Sequence, residues 1–221
     1  MSHATAHAAA AAAPPRADVP SWKLLMTLAV AGALAGGLIV FVYRATLPSV
    51  EAHRAKILQQ AVREVLPGCA RWDTLYVAGN TLSKQMPPAT GRKPAECVFL
   101  GFDAGGNRIG AAITAGEPGF SELVSVIFGL EAESGRLTGM KVLDQKETPG
   151  LGDKIEREGF CSQFAHAVAP LTGVKVKTGS ENEVQTITGA TISSRAVVRT
   201  INNAVERWQP LLRAYLQGGT S

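Results

Sequence analysis

The chain has 221 residues, of which 46% are apolar and only 18% charged, against roughly 25% charged in an ordinary soluble domain. That length suits one domain plus an appendage, and the apolarity excludes a charged, disordered chain. The net charge is +4, and half of it lies in residues 1–44 (Arg16, Lys23 and Arg44 against Asp18), so the remainder is nearly balanced and no nucleic-acid partner is expected.

Residues 1–21, rich in alanine with Pro14-Pro15, read as a disordered tail without a motif. Residues 24–43, LLMTLAVAGALAGGLIVFVY, hold no charged side chain. Twenty helical residues reach about 30 Å, the thickness of a bilayer's hydrocarbon core. Lys23 and Arg44 bracket the run, and Trp22 and Tyr43 sit where interfacial aromatics belong. A transmembrane helix is therefore expected over 22–44. Ala33-Leu34-Ala35 has the form of a signal-peptide cleavage site, but the apolar run continues through Val42, which favours a retained anchor. Arg44, Arg54, Lys56 and Arg63 follow the span, against Arg16 and Lys23 before it. By the positive-inside rule alone the C-terminal domain would face the cytoplasm.

After Pro48, Ser49 is placed to cap a second helix with Glu51 in its first turn. Val50, Ile57, Leu58, Ala61, Val62, Val65 and Leu66 form its apolar stripe, and Pro67-Gly68 ends it. Residues 45–68 thus read as a stalk, and 69–217 as the soluble domain. A strand is expected at 74–78, followed by turn residues around Met86-Pro87-Pro88 and Gly91. Cys97–Phe102 and Ile109–Ala115 form a hairpin about Asp103–Asn107. Leu123–Ala132 and Leu137–Leu143 form another about Glu133-Ser134-Gly135. An antiparallel sheet of about four strands follows. Gly152–Ala167 reads as a helix with Ile155, Phe160 and Phe164 inward, and Val174–Val176 as a short strand. In the last helix Val197, Ile201, Ala204, Val205, Trp208, Leu211, Leu212 and Tyr215 recur at helical steps. Pro210 kinks this helix or starts another. The fold class is α+β.

Cys69, Cys97 and Cys161 lie far apart without a CxxC pair, and His3, His7, His53 and His166 are scattered. No metal site is expected from them. A Cys69–Cys97 disulfide is permitted if the domain is exported. GxSxG, HExxH and P-loop patterns are missing, and no catalytic acid–base or nucleophilic group is assigned.

Two segments carry chemistry. Thr188-Gly189-Ala190-Thr191 precedes Ile192-Ser193-Ser194-Arg195 at the entrance to the last helix. Gly189 allows a tight turn, and Ser193 or Ser194 is placed to cap the helix. Thr191 then sits where free N–H groups and the helix dipole favour an anion, and Arg195 adds positive charge. The bland alternative is a turn with a capping threonine. The second segment is Glu147-Thr148-Pro149-Gly150-Leu151-Gly152-Asp153-Lys154. Thr148–Leu151 suits a type II turn with Gly150 at its third position, and the bland alternative is a surface turn.

Together and in this order, the two segments resemble the FMN-binding domain of the G subunit of the Rnf electron transport complex. A close cousin is the C subunit of the Na⁺-translocating NADH:quinone oxidoreductase. The family motif has the form Asp-x-x-(Ser/Thr)-Gly-Ala-Thr, with Thr188 in the Ser/Thr place and Thr191 at the end. Gln185 stands where the family has Asp. The segment 147–156, ETPGLGDKIE, resembles the family too. The resemblance implies FMN joined through its phosphate to Thr191. It implies flavin contacts from Glu147, Thr148, Leu151, Gly152 and Lys154, and a turn shaped by Gly189 and Ala190. It further implies electron relay between ferredoxin and NAD⁺, partner subunits in a membrane complex, and a flavin transferase for maturation. The cell inner membrane would hold the anchor, and the flavin domain would face the periplasm, against the charge count. The alternatives are the quinone-reductase homologue and an anchored binding or regulatory domain without covalent flavin.

Overall fold

The computed structural model describes residues 20–79, 81–86 and 96–218. The tail before residue 20 and the turn expected through Pro88 and Gly91 lie outside the described residues. The chain divides into two units, Met1–Ala52 and His53–Ser221.

The first helix, α1, spans Ser21–Val65 and runs through Pro48. The break expected there is not present, and Ser49 lies inside the helix rather than capping a new one. A proline removes its own N–H from the ladder and crowds the carbonyl four residues back, but α1 continues past it to Val65. Within α1 lies the one segment among the described residues long and apolar enough to cross a membrane, with a mean hydropathy of 2.3.

In the second unit, six antiparallel strands form one sheet in the order β2-β1-β3-β4-β5-β6. They are β1 (Arg71–Ala78), β2 (Thr81–Ser83), β3 (Cys97–Phe102), β4 (Arg108–Pro118), β5 (Leu123–Leu130) and β6 (Leu137–Asp144). The sheet is larger than the four strands expected, because β2 and the full length of β1 carry weak apolar patterns. β3 to β5 read as nearly continuous apolar runs because both faces are covered. On one face, Val98, Leu100, Ile113, Val126 and Phe128 pack with Val197, Ile201, Val205, Trp208 and Leu212 of the last helix. That helix, α3, spans Thr191–Gly218 without a break at Pro210. On the other face, Ala61, Val62, Val65 and Leu66 at the end of α1 pack with Phe99, Ala112 and Ile127. Val62, Val65 and Leu66 are at most 1% exposed, and burying each is worth about 1.5–3 kcal/mol. Glycine permits this approach: a Cβ on Gly129 would collide with the Val65 carbonyl oxygen and the Thr138 hydroxyl.

Between β6 and α3 the single helix expected over 152–167 is three short pieces. These are a 3-10 turn at Gly152–Glu156, one α-turn (α2, Glu158–Cys161) and a 3-10 turn at Ser162–Phe164. Arg157, extended at φ −68° and ψ 143°, separates the first two. Ile155, Phe160 and Phe164 are nonetheless buried as expected, since burial fixed the spacing without requiring a regular helix. The strand expected at 174–176 lies two residues earlier, as β7 (Thr172–Val174), which pairs in parallel with β8, Glu183–Gln185. The three cysteines are unpaired and half-buried. Burial pushes the Cys161 thiol up to about 11.

Candidate functional site

Two glycine turns face each other beside the start of α3. In the first, the Leu151 N–H donates to the Thr148 carbonyl at 3.1 Å, and Gly150 has φ +75°. In the second, the Ala190 N–H donates to the Ile187 carbonyl at 3.0 Å, and Gly189 has φ +84°. Positive φ at the third position is what a type II turn requires and what glycine supplies without strain. The turns touch: a Cβ on Gly189 would lie 3.4 Å from Leu151 Cδ2.

Between them runs a groove of about 330 Å³, at the lower end of the range for small-molecule sites (about 300–1,000 Å³). Its walls include Glu147, Thr148, Leu151, Gly152, Gly189, Ala190 and Thr191, all anticipated from the sequence. Thr191 is the first residue of α3 and half-buried. Its hydroxyl makes no hydrogen bond among the described residues. The N–H groups of a helix's first turn lack intrahelical partners, so this end favours an anion.

Three anticipated residues are not in the walls. Thr188 is exposed in its turn, Lys154 is half-buried beyond the groove, and Arg195 is exposed. The Arg195 stem lies over β7, with Cγ 3.6 Å from where a Cβ on Gly173 would be. It does not line the groove. Gln185 is also turned away, donating from its amide to the Lys175 carbonyl at 3.0 Å.

Neither serine caps α3. The Ser194 hydroxyl accepts from the Ile187 N–H at 3.1 Å and donates to the Ala190 carbonyl at 2.8 Å, locking the second turn onto the helix. The Ser193 hydroxyl donates to Glu147 Oε2 at 2.6 Å. Glu147 is only 5% exposed, and its Oε1 accepts from the N–H groups of Phe120 and Ser121, each at 3.0 Å. Burial alone would push this carboxyl up. The bonds from Ser193, Ser121, Phe120 and Glu122 outweigh it and hold the group below its ordinary value.

Sequence pattern does not single out Phe120, Ile192 or Ser193 as wall residues, yet all three line the groove. A bulky aromatic following Pro118-Gly119 in a tight connection is the available signal for Phe120. Phe120 is 66% exposed, Ile192 56% and Leu151 46%, so large apolar side chains surround the groove without covering one another.

Residues 119–206 match the FMN-binding domain family, a span that contains every wall of the groove. The chain is 28% identical over 184 residues to the G subunit of the ion-translocating oxidoreductase complex of Methanosarcina acetivorans, covering 83% of this chain and 92% of that protein. It is 30% identical over 196 residues to the G subunit of the Na⁺-translocating ferredoxin:NAD⁺ oxidoreductase complex of Acetobacterium woodii, covering 86% and 92%. The chain belongs to the G-subunit family of ion-translocating oxidoreductase complexes. The G-subunit fold is shared more widely. The crystal structure of the C subunit of the Na⁺-translocating NADH-quinone reductase of Parabacteroides distasonis superposes with a TM-score of 0.52 at 19% identity, over 63% of this chain and 76% of that one. In this G-subunit chain the FMN-family match starts at the β4–β5 connection and ends inside α3. It thus takes in the two turns and the helix end between which the groove lies.

Proposed function

We propose that this chain is the membrane-anchored electron carrier of an ion-translocating ferredoxin:NAD⁺ oxidoreductase, with FMN esterified through its phosphate to Thr191. The carrying observation is the setting of the Thr191 hydroxyl. It is unbonded, at the first residue of a 28-residue helix, on the wall of a groove built by two glycine turns. The residues fit the group. The helix end and its free N–H groups suit the one negative charge left on a phosphodiester. Phe120, Leu151 and Ile192 offer apolar surface for a flat ring, and the positive-φ glycines bring backbone close to it.

The flavin supplies the chemistry, since it takes up one or two electrons. The chain's own residues hold and orient it. Thr191 is the attachment point and no catalytic base. Leu151 and Phe120 give the groove apolar edges. α1 anchors the domain in the inner membrane as a single span, with the domain on the periplasmic side, where covalent attachment prevents irreplaceable loss. The tether raises the effective concentration of flavin beside the partner subunits of the complex. A flavin transferase is the partner needed for maturation.

Protein from its native host is expected to show a fluorescent flavin band that survives denaturing electrophoresis, and Thr191→Ala is expected to lose it. A fluorescent band retained in Thr191→Ala would overturn the assignment of Thr191. No band in the parent would favour an anchored domain without covalent flavin. A reporter enzyme active only outside the cytoplasm, fused after Ser221, is expected to be active. Activity only from a cytoplasmic reporter would reverse the topology.

A further inference from the structure

We propose that Glu147 is the positioning residue of the groove, a buried carboxylate that ties the first turn of α3 to the walls facing Thr191. The inference rests on the FMN reading above for its consequence, and on hydrogen-bond geometry for the tie itself. One oxygen of Glu147 accepts from the backbone of Phe120 and Ser121 at 3.0 Å each. The other accepts from Ser193 at 2.6 Å. Ser193 lies two residues beyond Thr191 in the same helical turn. Three segments distant in sequence therefore meet on a single side chain.

The fit around that side chain is closed by glycine on both sides. A Cβ on Gly119 would lie 2.5 Å from Glu147 Oε1 and 2.7 Å from Val124 Cγ2. A Cβ on Gly152 would lie 2.7 Å from Glu147 Cβ and 3.1 Å from the Ser193 Oγ. Any larger residue at either place must move the carboxylate. The chemistry is equally restrictive. Two backbone donors approach Oε1, which must therefore be an acceptor, while Oε2 meets the Ser193 hydroxyl. A glutamine keeps an acceptor for the two amides but a neutral and weaker one, with its NH₂ turned to the Ser193 hydroxyl, and an aspartate is one methylene short of spanning the gap. Three protein donors thus hold the two oxygens.

Two effects separate on substitution. Ser193→Ala cuts the link to α3 and leaves the negative charge. Glu147→Gln keeps the shape and removes the charge. A fixed negative charge beside the groove opposes the addition of electrons to a group lying in it. The flavin midpoint potential is therefore expected to rise in Glu147→Gln and to move less in Ser193→Ala.

The experiment uses the full chain purified from its host membrane. Amide hydrogen exchange at Phe120 and Ser121, FMN occupancy of Thr191 by peptide mass, and midpoint potential are measured for the parent, both single variants and the double variant. Exchange at both amides is expected to be about tenfold faster or more in either single variant. Ser193→Ala must produce this although it touches neither amide. The double variant is expected to be no worse than the more affected single variant, and occupancy of Thr191 is expected to fall in both. Parent-like exchange at Phe120 and Ser121 in Ser193→Ala, or additive effects in the double variant, would overturn the tie. A Glu147→Gln potential equal to the parent's would overturn the electrostatic consequence. A parent without FMN would refute the covalent reading, and the exchange measurements would still decide the tie.

Discussion

The two ends of α3 are built on opposite plans. At its N-terminal end the groove is small, its glycine turns expose backbone, and the hydroxyl of Thr191 has no partner among the described residues. At its C-terminal end lies a cavity of about 760 Å³, more than twice as large, lined by Arg108, Glu131, Leu212, Arg213 and Leu216 among others. Some of the polar groups around it are tied to one another. Arg213 donates to the carbonyls of Ala132 and Glu133 at 2.8 and 2.7 Å, and Gln209 donates to the Ala132 carbonyl at 3.0 Å. Volume alone would favour the C-terminal end. The bonds from Gln209 and Arg213 join α3 to the β5–β6 turn, whereas the Thr191 hydroxyl is left available.

The largest contrast is expected from Thr191→Ala. Covalent FMN should vanish entirely, because a phosphoester needs the hydroxyl. Stability should change little, within about 0.5 kcal/mol, because the hydroxyl caps nothing. Thr191→Ser keeps the acceptor and should retain attachment in part, as should Thr188→Ala, whose side chain is exposed outside the groove. Intact mass and thermal unfolding together check this.

Arg213→Ala should show the reverse at the other end. Two hydrogen bonds from a charged group are lost, costing about 1–3 kcal/mol. Flavin occupancy should stay at the parent level. A fall in occupancy without a fall in stability would break the division of labour between the ends.

Acid should weaken the N-terminal end. Glu147 is held below its ordinary value when folded. Its stabilisation is therefore fully present above the glutamate range and lost as pH falls through the lowered folded value. The stability gap between the parent and Glu147→Gln should be widest near neutrality and should close in acid. A gap independent of pH would mean that the carboxylate's charge is not what the fold uses.

Smaller still is Gly150→Ala. The position has φ +75° and open space around a Cβ, so only backbone strain of about 1 kcal/mol is expected, with a shifted flavin absorbance band. Smallest is Arg195→Gln. Its exposed side chain lies over β7, so flavinylation should weaken slightly and the effect should fade as salt is raised.

Much of the fold is legible in the sequence because its signals are local. Cys97–Phe102 has the same limits in sequence pattern and in structure, since an apolar run ending in Asp-Ala-Gly-Gly-Asn leaves little choice. The apolar face of α3 from Val197 to Leu212 follows from spacing alone. The Pro-Gly turn demands positive φ at Gly150, and Gly150 has it. What escapes depends on tertiary partners. The pieces at 152–164 carry the right inward residues in the wrong regular structure, because a short linker must bury Ile155, Phe160 and Phe164 between β6 and β7. The continuity of α1 through Pro48 escapes because proline is a strong local stop signal. The Glu147–Ser193 bond joins positions far apart in the chain, and nothing in either segment alone announces it.

The measurement closest to the central claim is the mass of the tryptic peptide 178–195, bounded by Lys177 and Arg195, from protein made in its native host. The expected result is a peptide heavier by one FMN less one water, with fragmentation placing the addition on Thr191. An unmodified peptide from an active complex would contradict the account.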